Sequence, residues 1–138
     1  MTTARDIMTP DTEYMRTNST VQQAASLLAS TGVGAIPVCE LDGRIVGMLT
    51  DRDIVVRVVA KAKDPSAVSL AEIVDGSGVV IVDADDDVEV AIETMKAHQV
   101  RRLPVVEENQ LVGMISQGDI ARHSDPEKVG DMVAVISS

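Results

Sequence analysis

The sequence predicts an α+β protein made of two similar halves, each running β-α-β-β-α, with one further helix at the C-terminal end. Two observations carry this expectation. A set of apolar, proline, glycine, hydroxyl and aspartate positions recurs in the same order in both halves, the mark of an internal repeat. Within each half, apolar residues at helical spacing give way to short β-branched runs and then to a second helical stretch.

The repeat is read directly. Val33-Gly34-Ala35-Ile36-Pro37-Val38 returns as Val100-Arg101-Arg102-Leu103-Pro104-Val105, and Ile45-Val46-Gly47-Met48-Leu49-Thr50-Asp51-Arg52-Asp53-Ile54 as Leu111-Val112-Gly113-Met114-Ile115-Ser116-Gln117-Gly118-Asp119-Ile120. Val21 and Val88 are 67 residues apart, Gly47 and Gly113 only 66. The lost residue falls where Leu41-Asp42-Gly43-Arg44 faces the shorter Glu108-Asn109-Gln110, at a hairpin tip, where a fold tolerates length changes.

Each element follows from local pattern. A short strand is expected at roughly 13–17 and again at 79–83. Val21, Ala24, Ala25 and Leu28, then Val88, Ala91, Ile92 and Met95, repeat at i, i+3, i+4, i+7 and so form one face of a helix. Ser19 or Thr20 caps the first of these, Asp86 or Asp87 the second. Strands are expected at roughly 35–40 and 44–50, then 102–106 and 110–116, joined by turns at Asp42-Gly43 and Asn109-Gln110. Helices follow at roughly 52–62 and 118–123. Lys61-Ala62-Lys63-Asp64-Pro65-Ser66 is a loop signal, and Ser69-Leu70-Ala71-Glu72 has the form of a capping box that opens a short helix. After Ser124-Asp125-Pro126-Glu127, Val129, Met132, Val133 and Ile136 stand at helical spacing, weakened a little by Gly130. The boundaries are 4–63 for the first repeat, 69–124 for the second and 125–138 for an amphipathic helix that packs on the pair or on a partner chain.

Composition narrows the function. With 45% apolar residues in 138, the chain has enough to bury a core. Tyr14 is its only aromatic residue, so no stacking platform for nucleic-acid bases exists. A net charge of −10 repels nucleic acid and anionic membranes alike. No apolar run is long enough to span a bilayer, and Met1-Thr2-Thr3-Ala4-Arg5-Asp6 lacks the apolar stretch of a signal peptide, so a cytoplasmic protein is expected. Cys39 is the single cysteine; it lies in an apolar strand and reads as an inert core residue. His98 and His123 have no second ligand at metal spacing and read as surface residues, so no metal site is expected. Asp83-Ala84-Asp85-Asp86-Asp87 resembles a calcium loop only superficially. The sixth and twelfth positions, which need Gly and Glu, hold Val88 and Thr94. The run is better read as an acid-rich helix start. No acid–base or nucleophile constellation is visible, so the chain is not expected to be an enzyme.

The paired blocks around Ile36-Pro37-Val38 and Gly47 to Ile54, with their second copies, resemble the cystathionine-β-synthase (CBS) domain over about residues 4–124. The opening segment to Met8 and His98-Gln99-Val100-Arg101-Arg102 are similar to stand-alone actinobacterial members that belong to stress responses. The resemblance implies two units packed about a pseudo-two-fold axis as a Bateman module, a homodimer of such modules, and clefts between repeats that bind AMP, ADP, ATP or S-adenosylmethionine as regulatory ligand. It also implies the contacts. Thr50 and Asp53, with the backbone of Gly34, Ala35 and Ile36, belong to one cleft; Ser116 and Asp119, with Arg101, Arg102 and Leu103, belong to the other. The aspartate takes the ribose hydroxyls and the Thr or Ser lies near phosphate. With no further domain attached, the signal is read by an as yet unknown protein partner. The alternative is a ligand-free dimeric scaffold.

The chemistry suits these roles. A carboxylate accepts two hydrogen bonds at once, which matches a diol. A hydroxyl at a helix start sits among unpaired N–H groups where an anion is favoured, and arginines add charge-assisted bonds to phosphate. Structural readings stand beside them. Thr50-x-x-Asp53 and Ser116-x-x-Asp119 also fit capping boxes, and both readings can hold together. Arg101-Arg102 also fits a solvated connection with salt bridges to Glu107 or Glu108, although as a ligand feature it suits phosphate better than Gly34-Ala35 does. Tyr14 reads as filling a gap, with contact to a bound base as the other reading.

Overall fold

The computed structural model describes residues 1–74, 79–123 and 126–137. The chain forms two compact units. One is Glu13–Val79; the other joins Met1–Thr12 to Val80–Ser138. Each has its own sheet and its own apolar core, and each is treated by itself.

The first residues make two elements that carry no periodic signal, α1 (Ala4–Ile7) and β1 (Thr9–Pro10). Residues 4–12, grouped by the sequence reading with the first repeat, pack with the second. The reason is burial: Ala4 and Ile7 enter the core formed around Ile92, Met95 and Ile115. Arg5 adds ion pairs to Glu107 (3.0 Å) and Asp85 (3.4 Å), and Ala4 N–H donates to the Asp86 carbonyl at 2.8 Å.

The unit Glu13–Val79 contains β2 (Met15–Arg16), α2 (Val21–Thr31), β3 (Ala35–Cys39), β4 (Ile45–Thr50) and α3 (Asp51–Ile54). Its sheet has the order β2-β3-β4, with β2 parallel and β4 antiparallel to β3. Thr20 is the cap of α2: its hydroxyl accepts from Gln23 N–H at 3.2 Å while Gln23 returns a bond to Thr20 N–H at 2.9 Å. Val21, Ala24 and Leu28 turn inward. The helix stops at Gly32, whose φ of 72° closes the last turn in a conformation that costs glycine nothing. Pro37 sits in the central strand, yet β2 pairs with β3 only at Val38 and Cys39, so the missing N–H of Pro37 interrupts no ladder on that side.

The helix expected at 52–62 is α-helical only to Ile54. Val55–Val59 continue as a π-helix, with Ala60 N–H bonded to the Val55 carbonyl at 2.8 Å. Four β-branched valines crowd this stretch and disfavour regular α-helix. Ser69 and Glu72 do form a capping box, Ser69 N–H donating to Glu72 Oε2 at 2.8 Å, and it opens a single 3-10 turn at Leu70–Glu72.

The other unit contains β5 (Val82–Asp83), α4 (Val88–His98), β6 (Arg102–Glu107), β7 (Gln110–Ser116), α5 (Gln117–His123) and α6 (Pro126–Ser137). Its sheet order is β1-β7-β6-β5, so the N-terminal strand adds an antiparallel edge that the first sheet lacks. Asp87 caps α4 through Glu89 N–H at 2.9 Å. The hairpin turn is Glu108-Asn109, one residue earlier than expected, because Gln110 already pairs with Glu107. Both turn residues have positive φ, 51° and 67°, which a two-residue turn of this hand requires. A bulge falls at Val38/Cys39 and again at Val105/Val106, repeating the irregularity at the same place. In α6, Met132 and Ile136 are buried in the core, while Asp131 is bonded to Lys96 of α4 at 2.7 Å. The Ser124-Asp125 start expected for this helix lies outside the described residues, as does Ser138.

Candidate functional site

In each unit the end of a strand, the start of a helix and the backbone before a proline meet at one corner. Ala35 pairs with Thr50 and Arg102 with Ser116 across the antiparallel ladders. Asp51 N–H then donates to the Gly34 carbonyl at 3.2 Å, and Gln117 N–H to the Arg101 carbonyl at 3.0 Å. The fold therefore gathers Gly34, Ala35, Ile36, Thr50 and Asp53 at one corner, and Arg101, Arg102, Leu103, Ser116 and Asp119 at the equivalent corner of the other unit.

Ile36 and Leu103 are buried and contribute to the cores; Gly34 and Arg101 are exposed, and Ala35 and Arg102 are half-buried. In both corners the hydroxyl and the carboxylate form a capping box. Thr50 N–H donates to Asp53 Oδ2 at 2.9 Å, and Asp53 N–H to Thr50 Oγ1 at 3.0 Å. Ser116 N–H donates to Asp119 Oδ2 at 2.9 Å, and Asp119 N–H to Ser116 Oγ at 3.1 Å. The structural reading of the motif thus holds at both places, and each box fixes the aspartate carboxylate beside the helix start.

The two aspartates differ in surroundings. Asp53 is half-buried, and the described residues supply its Oδ1 with no donor. Asp119 is 4% exposed. Its Oδ1 accepts from Thr9 Oγ1 at 3.4 Å and is ion-paired with Arg122, while Ser116 Oγ donates to Oδ2 at 3.1 Å. The Gln117 side-chain Nε2 is buried and has no acceptor among the described residues. Thr9, Arg122 and Gln117 escaped the sequence reading. Arg122 follows Asp119 at i+3, a spacing that signals a same-face pair, but nothing in the sequence places Thr9 on the edge of β7.

Two smaller expectations change. Glu107 pairs with Arg5, and neither Arg101 nor Arg102 makes an ion pair among the described residues. Arg102 and Glu107 are opposite ends of β6, about 17 Å apart at strand rise, beyond any salt bridge. Tyr14 fills no interior gap: it is 40% exposed, with the Arg16 guanidinium 5.9 Å from its ring centre and donating to its hydroxyl at 3.3 Å. Cys39 is buried as expected, and burial pushes its thiol up to about 11. His98 and His123 are both exposed.

Among the described residues, no three His, Cys, Asp or Glu side chains converge where they would hold a metal ion, and no helix is long and apolar enough to cross a membrane.

Comparison with known proteins gives a consistent result. The family model of the CBS domain matches residues 4–60 and 71–125. Hypoxic response protein 1 of Mycobacterium tuberculosis is 39% identical over 138 residues, covering 100% of this chain and 96% of its own. A crystal structure of hypoxic response protein I with two coordinated zinc ions superposes with a TM-score of 0.82 at 40% identity, over 90% of this chain and 100% of that one. CBSX2 in complex with AMP shares the fold, with a TM-score of 0.75 at 23% identity over 88% of this chain and 95% of that one.

Proposed function

The chain belongs to the CBS-domain family, and from that premise we propose that it is a stand-alone regulatory module that senses an adenine nucleotide or related adenosyl ligand and signals through a partner protein. In sequence its two repeats span 4–63 and 69–124, residues 4–12 folding onto the second unit, and 125–138 is the C-terminal segment that carries α6. It works as a homodimer in the cytoplasm and catalyses no reaction.

The observation that carries this reading is the fixed, half-buried acceptor at the Asp53 corner. Thr50 N–H holds one carboxylate oxygen and leaves the other without a donor among the described residues. A neutral diol can bond there without breaking the capping box. The second corner contributes Ser116, Asp119 and the Arg101-Arg102-Leu103 backbone, with cationic side chains suited to phosphate. Binding acts as a switch only if the ligand has different affinities for two states of the module.

AMP is the ligand of CBSX2, and it is a natural first probe here. Zinc belongs to the hypoxic response protein crystal structure. The donor set described for this chain does not gather three ligands at one point, so no step of the mechanism passes through zinc.

A ligand-free scaffold is the second reading. The capping boxes account for Thr50, Asp53, Ser116 and Asp119 by themselves, and Val55, Val56 and Val59 present exposed apolar surface to a partner. Thermal unfolding with AMP, ADP, ATP, cyclic di-AMP and S-adenosylmethionine separates the two. A ligand at about 100 times its Kd adds roughly 2.7 kcal/mol and raises the midpoint by several degrees. No shift with any of these at millimolar concentration decides for the scaffold.

A further inference from the structure

The two corners are chemically unequal, and the inequality says where a nucleoside goes; the inference rests on the nucleotide reading above. At the second corner every face of the carboxylate is in use. Asp119 receives Ser116 N–H and Ser116 Oγ on one oxygen, and Thr9 Oγ1 and Arg122 on the other. Four donors match the roughly four lone-pair directions of a carboxylate, and the residue is 4% exposed. A ribose hydroxyl offers a neutral bond and would have to displace a guanidinium, which makes a charge-assisted one.

The arginine lock is absent from the first repeat: the 66-residue offset that superposes Asp53 on Asp119 places Val56 where Arg122 stands. Thr9 comes from β1, and among the described residues the three-stranded sheet of the first repeat has no such edge strand. The segments that meet at this corner also carry Arg101, Arg102 and the Gln117 side-chain amide, whose Nε2 has no acceptor among the described residues. Such donors suit an anion better than a diol.

We propose that nucleoside binding is confined to the Asp53 corner, one per chain, and that Arg122 and Thr9 together close the Asp119 corner to ribose. Arg122 is the residue that sets this specificity. Its side chain is largely exposed, so it can be replaced without opening a cavity.

The test is calorimetric titration of the full chain with AMP. Wild type should bind one AMP per chain, and Asp53→Asn should weaken that site about ten- to hundredfold, the loss expected for one bond to a charged group. Thr9→Val/Arg122→Val, which removes both side-chain donors from Asp119 Oδ1, should raise the stoichiometry to two. Two sites in wild type, or one site that survives Asp53→Asn with undiminished affinity, overturns the inference and leaves the nucleotide reading standing. A double variant still binding one AMP per chain overturns the role of the lock. If neither wild type nor the double variant binds AMP or the other adenosyl ligands, the nucleotide reading itself fails.

Discussion

Gly113→Ala should destabilise the protein although alanine is chemically the mildest replacement. Gly113 lies on β7, opposite Val105 of β6 and Pro10 of β1. A Cβ built there meets Met8 Sδ and the Thr9 carbonyl oxygen at 2.7 Å each. Even weak carbon–oxygen contacts settle at about 3.3–3.6 Å, so the overlap exceeds half an ångström. Met8 can swing away; the Thr9 carbonyl is backbone and moves only if β1 moves. Overpacking of this kind costs roughly 1–3 kcal/mol. Losing glycine's freedom in the unfolded chain offsets about 0.4–1 kcal/mol. The net is a destabilisation of roughly 1–2 kcal/mol, or about 4–8 °C in midpoint for a chain of this length. Gly47 is the internal control. Among the described residues a Cβ there meets only Val74 Cγ1, at 2.9 Å, and a side-chain methyl yields more easily, so Gly47→Ala should cost less. Thermal melts by circular dichroism compare the two. The reasoning is refuted if Gly113→Ala matches wild type, or if adding Met8→Ala restores its stability, since the carbonyl would then not be the obstacle.

Further predictions concern the core and Cys39. Met132→Ala should cost about 2–5 kcal/mol by leaving a cavity, because Met132 is wholly buried where α6 meets the core; Lys96→Met, which breaks the surface pairs to Asp131 and Glu93, should shift a urea midpoint far less, and the reverse order would show that α6 is held by charge. Cys39 should resist iodoacetamide at pH 8 in the folded protein and react on addition of denaturant, since the thiolate is the nucleophile and burial disfavours it. The same shift makes stability pH-dependent. The unfolded thiol ionises near its ordinary value of 9.0 while the folded one holds its proton to about 11, so this group's contribution is intact below 9 and declines as pH rises through that window. In Cys39→Ala that part of the decline should vanish from urea midpoints measured across the alkaline range.

Much of the fold was legible because the repeat displayed each pattern twice. The helix faces at Val21 and Val88, the caps Thr20 and Asp87, and the paired strands around Pro37 and Pro104 all follow from spacing that local physics enforces. The missed features are those that local pattern cannot encode. α1 and β1 are too short to show a period, and their place is decided by residues about a hundred positions away. The π-helical turn at Val55–Val59 depends on crowding among valines that a simple apolar count treats as ordinary helix. At the candidate sites the sequence located both hydroxyl-x-x-aspartate motifs but treated them alike. Their difference resides in Thr9 and Arg122, one brought in by a distant strand and the other reaching back along its own helix.

The edge strand β1 also bears on the order in which the protein is made. The unit Glu13–Val79 is contiguous, and its sheet is complete in sequence once β4 has left the ribosome. Residues 1–12, synthesised before it, cannot settle until β7 at Gln110–Ser116 emerges, and contacts of such sequence separation form slowly. The nascent chain thus carries Ala4 and Ile7 exposed through most of its synthesis and completes its second sheet last. A gene cut at the linker between the repeats would separate that sheet from its own edge.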